Sequence, residues 1–177
     1  MYPSVALSLT VCIFIACTSA CSTSRVCSKD KANCRTRDPN GIVLSENISE
    51  VVLHDLSASL PTENTFSGNK QWSKIETLEI WAVDGESLGS RVFTGLSGLT
   101  YLGYHNEYMV NMVNDAFYGL DNLKELNFPM NIRLRISTFS SSMKSAYLPK
   151  LNKLSITVMA SYYFTSAEDA QYVFLKA

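Results

Sequence analysis

Residues 93–102 read FTGLSGLTYL and residues 117–126 read FYGLDNLKEL, so one block of sequence returns after 24 positions. The two blocks share a phenylalanine, a glycine and three leucines in the same order: Phe93, Gly95, Leu96, Leu99 and Leu102, then Phe117, Gly119, Leu120, Leu123 and Leu126. A period in the twenties with the pattern L-x-x-L-x-L is typical of a solenoid, in which each turn buries its leucines against its neighbours. The repeat therefore favours a binding surface over a catalytic pocket.

The same pattern extends to five turns when the first, fourth and sixth positions of each motif are marked. The marked residues are Ile48, Val51 and Leu53; Ile75, Leu78 and Ile80; Leu99, Leu102 and Tyr104; Leu123, Leu126 and Phe128; Leu151, Leu154 and Ile156. Alternate side chains of a strand point to one face, and neighbouring strands lie about 4.8 Å apart, so equivalent residues stack. The sequence thus predicts an α/β solenoid, a short curved horseshoe of about five turns with a parallel concave sheet and an irregular convex side. Alternating Ile132, Leu134 and Ile136 predict an extra strand on that convex side.

Composition and motifs exclude several classes of function. Lys and Arg number 15 against 16 Asp and Glu, for a net charge of −1, and no basic run is present, so we expect no nucleic-acid partner. The chain lacks G-x-S-x-G, H-E-x-x-H and a phosphate-binding glycine loop. The neighbouring carboxylates of Glu50 and Glu79 are interpreted as surface acids. We therefore expect neither an enzyme nor a bound cofactor.

The N-terminus has the character of a secretory signal peptide over residues 1–20. Val5 to Ala16 is almost wholly apolar, too short to span a membrane, and small residues follow it. Cleavage after Ala20 leaves three cysteines, whereas cleavage before Cys17 leaves four but puts Phe14 where a small residue is wanted. A lipoprotein signal around Cys17 is a third interpretation. We expect a secreted or extracellular protein, with no membrane span in this chain.

All five cysteines lie within the first 34 residues, and Cys12 falls inside the signal segment. The other four, Cys17, Cys21, Cys27 and Cys34, are clustered just before the repeats, and no C-x-x-C or nearby histidine suggests a metal site. Clustered cysteines in a secreted chain are candidates for disulfide bonds.

With these motifs, the chain resembles extracellular leucine-rich repeat proteins that carry a cysteine-containing N-terminal cap, such as Toll-like receptor ectodomains and variable lymphocyte receptors. The spacing of the four clustered cysteines is similar to that cap, and the stretches 93–99 and 117–123 are similar to the F-x-x-L-x-x-L link of the family. The resemblance implies a cap over residues 21–46, a repeat region over 47–177, and recognition of proteins or glycans. It also implies an asparagine nine residues into each motif. Of the five such positions, Leu56, Val83, Glu107, Asn131 and Met159, only Asn131 fits, which predicts looser turns.

The register assigns outward-facing residues to the concave surface. Exposed aromatic residues on a rigid scaffold are favoured contacts, so the candidate ligand-binding residues are His54, Glu79, Trp81, Tyr101 and His105. His54 and His105 should lie about 10 Å apart, two strand spacings, with Trp81 between them. This predicts no shared metal ion, and leaves a pH-sensitive surface as an alternative. Asn47-Ile48-Ser49 is a sequon for N-glycosylation.

The leading hypothesis from the sequence is a non-catalytic module that binds a protein or glycan through the concave face. One alternative is the N-terminal fragment of a larger transmembrane signalling receptor, because Leu175 lies 24 residues after Leu151, where a sixth turn would start. Another is a matrix or adhesion protein that forms a homodimer through an uncapped C-terminal end.

Overall fold

A computed structural model describes residues 25–27, 30–36, 39, 42–56, 61–82, 84–129, 134 and 136–156. The predicted signal segment 1–20 lies outside the described residues, as do Cys17, Cys21, Asn131, Leu175 and the side chain of Cys27.

Most of the described chain is built around one sheet of seven strands in the order β1-β2-β3-β4-β6-β8-β9. The strands are β1 (Arg25–Cys27), β2 (Lys31–Arg35), β3 (Glu50–Leu56), β4 (Thr77–Ala82), β6 (Tyr101–His105), β8 (Glu125–Phe128) and β9 (Lys153–Ile156). β1 pairs with β2 in antiparallel fashion, and every later pairing in this sheet is parallel. Parallel neighbours require the chain to return between strands, and these returns form the other side of the molecule.

The predicted register of the sheet is confirmed. Val51 pairs with Leu78, Leu78 with Leu102, Leu102 with Leu126, and Leu126 with Leu154. A shift of one residue would turn each apolar row toward solvent, so burial of one face fixes this pairing. The prediction of five turns missed β2, whose Ala32 and Cys34 lie opposite Val51 and Leu53. Both are fully buried, but neither belongs to an L-x-x-L-x-L motif.

A ladder of backbone hydrogen bonds connects the starts of the parallel strands. In each turn the carbonyl oxygen before the strand accepts two N–H groups of the next turn, at 2.8 to 3.1 Å. The accepting carbonyls belong to Asp30, Ser49, Glu76, Thr100 and Lys124. Backbone groups therefore satisfy one another at this end of the sheet, and one side chain adds to the ladder: the Thr100 hydroxyl also donates to the Glu76 carbonyl, at 3.1 Å.

The core behind the sheet is a column of phenylalanines contributed by successive returns. Phe66, Phe93 and Phe117 are fully buried and nearly parallel, with centroid distances of 6.5 Å and 6.1 Å. Phe128 meets Phe117 edge-on at 5.8 Å, and Trp72 meets Phe66 at 4.9 Å. Burying each such ring contributes about 1.5–3 kcal/mol, so the repeated phenylalanine stabilises the stacking of the turns. Trp72 is held by a 3-10 helix, Lys70–Lys74.

The side opposite the large sheet, predicted to be irregular, is more ordered than the sequence predicts. A two-stranded parallel sheet pairs β5 (Ser87–Leu88) with β7 (Asn111–Met112), and the helix α1 spans Ile136–Ser145. The extra strand predicted around Ile136 is therefore wrong in the described part of that segment. Phe139 and Met143 explain the difference, because residues four apart lie on one helical face and both pack against the core.

α1 is attached to the small sheet by serine side chains. The hydroxyl of Ser142, which is fully buried, donates a hydrogen bond to the carbonyl of Val113. The hydroxyl of Ser145 donates to the carbonyl of Asn114. These carbonyls directly follow β7, so the two serine hydroxyls hold the helix beside that strand.

One asparagine caps a turn, although not at the position that the motif predicts. Asn106 is buried; its amide donates to the carbonyls of Asp84 and Gly85, at 3.4 and 3.1 Å, and its carbonyl oxygen accepts the N–H of Tyr108 at 2.8 Å. Glu107, at the predicted position, is exposed. Side-chain hydrogen bonds therefore hold this turn together, but the asparagine that makes them is residue 106, one position before the predicted position 107.

Tyr104 lies beneath the same turn. Burial raises the pKa of Tyr104 to about 12, although its hydrogen bond with the Asn106 side chain works in the opposite direction. The described helices include none that is long and apolar enough to cross a membrane.

Candidate functional site

The candidate site lies on the outward face of the large sheet, where strand pairing aligns three aromatic side chains. His54 on β3 pairs with Trp81 on β4, and Trp81 pairs with His105 on β6. Parallel strands in register place these residues side by side at the ends of their strands. The sequence therefore identified this row correctly as a set of neighbours.

The three rings form a stack across the sheet. Trp81 lies against His105 with a centroid distance of 3.7 Å and an interplanar angle of 14°. His54 lies on its other side at 6.1 Å and 21°. The indole thus separates the two imidazoles, while 37% of Trp81 stays exposed.

Of the two imidazoles, that of His105 lies closer to Trp81. Both ring nitrogens are buried, and neither has a hydrogen-bond partner in the described part of the chain. Burial lowers the pKa of His105; the charge of Glu79 opposes this shift and that of His54 adds to it. The imidazole is therefore neutral at pH 7 and stacks on Trp81 as an uncharged ring.

His54 is oriented by a neighbour that the sequence did not single out. Its Nε2 lies 2.8 Å from the side-chain oxygen of Asn33 on β2, so the ring nitrogen donates to the amide oxygen. Beyond His54, Arg35 forms an ion pair with Asp55 at 2.8 Å.

Glu79 and Tyr101 form a second part of the site. Glu79 lies one row from Trp81 on β4, and Tyr101 lies one row further, opposite Thr77. The hydroxyl of Tyr101 donates to Oε1 of Glu79 at 3.4 Å and accepts from the side-chain amide of Asn127 at 3.3 Å. Tyr101 is half-buried rather than projecting, because its ring runs along the sheet over Gly103. A Cβ on residue 103 would lie only 3.3 Å from the Tyr101 hydroxyl, so glycine provides the space for this arrangement.

Charged pairs lie at both edges of this face. Lys31 pairs with Glu50 on the β3 side, and Lys153 pairs with Glu125 at 2.5 Å on the β9 side. These pairs raise the pKa of both lysines, mainly through the hydrogen bond to the glutamate. No group of three or more His, Cys, Asp or Glu residues in the described chain is arranged to hold a metal ion.

Comparison with known proteins gives one distant similarity. No protein-family model matches the chain. It is 28% identical over 115 residues to Toll-like receptor 3 of Boselaphus tragocamelus. The match covers 65% of this chain but 12% of that receptor. The similarity agrees with the parallel, repeated pairing of the large sheet.

The remaining predicted sites lie away from the aromatic row. Asn47 is exposed in a two-residue turn with Glu46, whereas Ile48 is buried, 4% exposed. Cys34 is buried in β2 and disulfide-bonded. Cys27 ends β1, which pairs with β2.

Sequence reasoning missed the polar and small residues that orient the aromatic ones. Asn33, Gly103 and Asn127 share one row of the sheet, since Asn33 pairs with Val52 and Gly103 with Asn127. The signal available was a glycine in the middle of a strand, which often marks a place where another group approaches the backbone.

Proposed function

We propose that this chain is a leucine-rich repeat module of the extracellular, non-catalytic type, and that it recognises a protein or glycan through its concave face. The parallel register, the repeated phenylalanine link and the distant similarity to a Toll-like receptor support the repeat assignment. Secretion fits the signal-like N-terminus and the disulfide-bonded Cys34.

The observation that carries the proposal is the Trp81 stack. A large side chain that is 37% exposed, yet ordered by rings on both sides, loses little conformational entropy on binding. Rigid aromatic residues at the centre of a surface are the usual energetic anchors of interfaces. This face therefore has one preorganised aromatic contact on its middle strand, β4, and charged pairs on the strands to either side.

An array experiment tests this proposal. The secreted chain, tetramerised through a C-terminal tag, is applied to arrays of glycans and of extracellular protein domains. We expect a saturable ligand whose affinity falls at least about tenfold in Trp81→Ala, as for a central anchor. Tyr147→Ala is the matched control, because Tyr147 is 74% exposed in the segment after α1. Equal loss in both variants, or none in Trp81→Ala, would refute recognition through this face.

The distant similarity to Toll-like receptor 3 favours the alternative, a larger signalling receptor. In that arrangement the same concave face would bind ligand and further segments would carry the signal. Sequencing complete transcripts of the gene distinguishes a secreted module from a receptor. Homodimerisation through the C-terminal end stays a prediction from the sequence, and sedimentation over a range of concentrations tests it.

A further inference from the structure

Glu79 differs from the other carboxylates of the concave face in its surroundings. Glu50, Glu125 and Asp55 each have a basic side chain within ion-pair distance. Glu79 has no such partner among the residues that the structure describes, and its one hydrogen bond is the long one from the Tyr101 hydroxyl at Oε1. One oxygen of the carboxylate therefore remains open to a donor.

The groups beside Glu79 are mostly aromatic or apolar. On the sheet it lies between Val52, which is buried, and Gly103, which has no side chain. The Tyr101 ring lies over that glycine, and Trp81 follows two residues along the same strand on the same face. A carboxylate next to aromatic rings interacts with a cation more strongly than one surrounded by water.

The local charges leave this position negative. His105, whose charge would interact with that of Glu79, is neutral at pH 7 and does not balance it. Lys31 interacts electrostatically with Glu79, but its ammonium forms an ion pair with Glu50. The centre of the face thus carries one uncompensated negative charge between two neutralised edges.

We infer that Glu79, Tyr101 and Trp81 form a subsite for an arginine side chain of a protein ligand. A guanidinium donates two parallel hydrogen bonds to a carboxylate, and Oε1 of Glu79 can accept one of them besides the Tyr101 hydroxyl. Because His54 and His105 lie on the two faces of Trp81, the guanidinium packs on the Tyr101 ring and meets only the exposed edge of the indole. The planar guanidinium suits this combination better than the point charge of lysine. Asn127 holds the Tyr101 hydroxyl in place, so the subsite is formed before the ligand arrives. This inference rests on the proposed recognition role and narrows the ligand from protein or glycan to protein.

The test uses the secreted chain labelled with ¹⁵N and two small probes. N-acetyl-arginine-methylamide carries the guanidinium, and N-acetyl-citrulline-methylamide is its neutral isostere. We expect saturable shifts of the Glu79 and Gly103 amides and of the Trp81 indole N–H with the first probe, and at least about fivefold weaker binding of the second, as for loss of a charged hydrogen bond.

Two variants make the test specific. Glu79→Gln should weaken binding of the arginine probe at least about fivefold, because the neutral amide keeps the shape but removes the charge. Glu125→Gln is the matched control; its carboxylate is already paired with Lys153, so affinity should be unchanged. Unchanged spectra outside the site verify that both variants are folded. Equal binding of the two probes, or equal affinity of Glu79→Gln and the unaltered chain, would overturn the inference.

The outcome is separable from that of the proposed function. An array ligand that depends on Trp81 but not on Glu79, with no arginine binding, would leave recognition standing and remove the subsite. Arginine binding at Glu79 without any array ligand would support the subsite and count against the wider role.

Discussion

The imidazole of His105 lies parallel to the indole of Trp81, with ring centroids 3.7 Å apart. Both nitrogens of this imidazole are buried without a hydrogen-bond partner in the described residues. The buried surroundings favour the neutral form of the His105 imidazole, and in that form the imidazole packs against the exposed Trp81 indole. The relationship links the stability of this outward face of the sheet to the protonation of one residue.

We expect the free energy of unfolding to fall as the pH drops below about 6.5, the ordinary pKa of histidine. Burial lowers the pKa of His105 in the folded state, so the unfolded chain binds the proton more readily. Protonation therefore favours the unfolded state as the pH falls. Above about pH 6.5 both states are neutral, and this contribution vanishes.

Urea unfolding at pH 7.5 and pH 5.5 measures the effect. His105→Gln cannot be protonated, so its stability relative to the unaltered chain should improve at the lower pH. The same stability difference at both pH values would show that His105 does not contribute to this pH dependence.

The buried Asn106 gives a second prediction. Asn106→Ala removes a side chain that bonds two carbonyls and the N–H of Tyr108, and it leaves these groups in a buried turn. We expect a loss of about 2–4 kcal/mol in the free energy of unfolding, as for several unsatisfied buried groups. Glu107→Ala is the control at the position that the motif favours; its side chain is exposed, and its substitution should change stability by less than about 0.5 kcal/mol. Equal effects in urea unfolding would contradict the assignment of Asn106 as the cap.

The sheet could be predicted from the sequence because its register depends on a short, repeated pattern. Val51, Leu78, Leu102 and Leu126 form one fully buried row, and burial of that face fixes the pairing. Leu154 continues the row on the last strand, β9, where it is 42% exposed. The register also predicts that His54, Trp81 and His105 lie side by side, because side chains alternate between the two faces of each strand and the buried rows therefore fix the outward rows.

The parts that were missed depend on side-chain geometry rather than on periodicity. Tyr101 lies along the sheet because Gly103 leaves space and Asn127 supplies a donor, and no pattern of leucines contains that information. The position of the capping asparagine, 106 instead of 107, likewise depends on side-chain geometry, which the repeat pattern does not contain. The alternation of Ile132, Leu134 and Ile136 predicts a strand, but α1 begins at Ile136, because Phe139 and Met143 form one helical face against the core.

The two repeated glycines give a third prediction, because they share a backbone conformation but not an environment. Gly95 has a φ of +101° and Gly119 a φ of +87°, so alanine is strained at both. This strain costs about 1–2 kcal/mol per residue. A Cβ at residue 95 would also lie 2.4 Å from the carbonyl oxygen of Phe66, whereas nothing lies within 4 Å at residue 119.

Gly95→Ala should therefore lower the free energy of unfolding by about 1–3 kcal/mol more than Gly119→Ala, the usual cost of overpacking. Thermal and urea unfolding of the two variants side by side measure this difference. Equal destabilisation would mean that the turn at Phe66 yields to the added methyl group.

The exposed turn at Asn47 gives a fourth prediction. The side chain of Asn47 is exposed and makes no hydrogen bond in the described structure, so a transferase can reach its amide. We expect the chain secreted from a eukaryotic cell to lose the mass of one N-glycan on treatment with peptide N-glycosidase. Asn47→Gln and Ser49→Ala should both abolish that change. An identical mass before and after treatment of the unaltered chain would refute this site.

Recognition through the outward face of the sheet is tested by acrylamide quenching of tryptophan fluorescence, with and without a ligand obtained from the arrays. The chain has two tryptophans; Trp72 is 1% exposed, so the quenchable emission comes from Trp81, which is 37% exposed. Recognition through the concave face predicts that saturating ligand shields Trp81 and lowers the quenching constant. Saturable binding with an unchanged quenching constant would place the ligand elsewhere and contradict the proposed function.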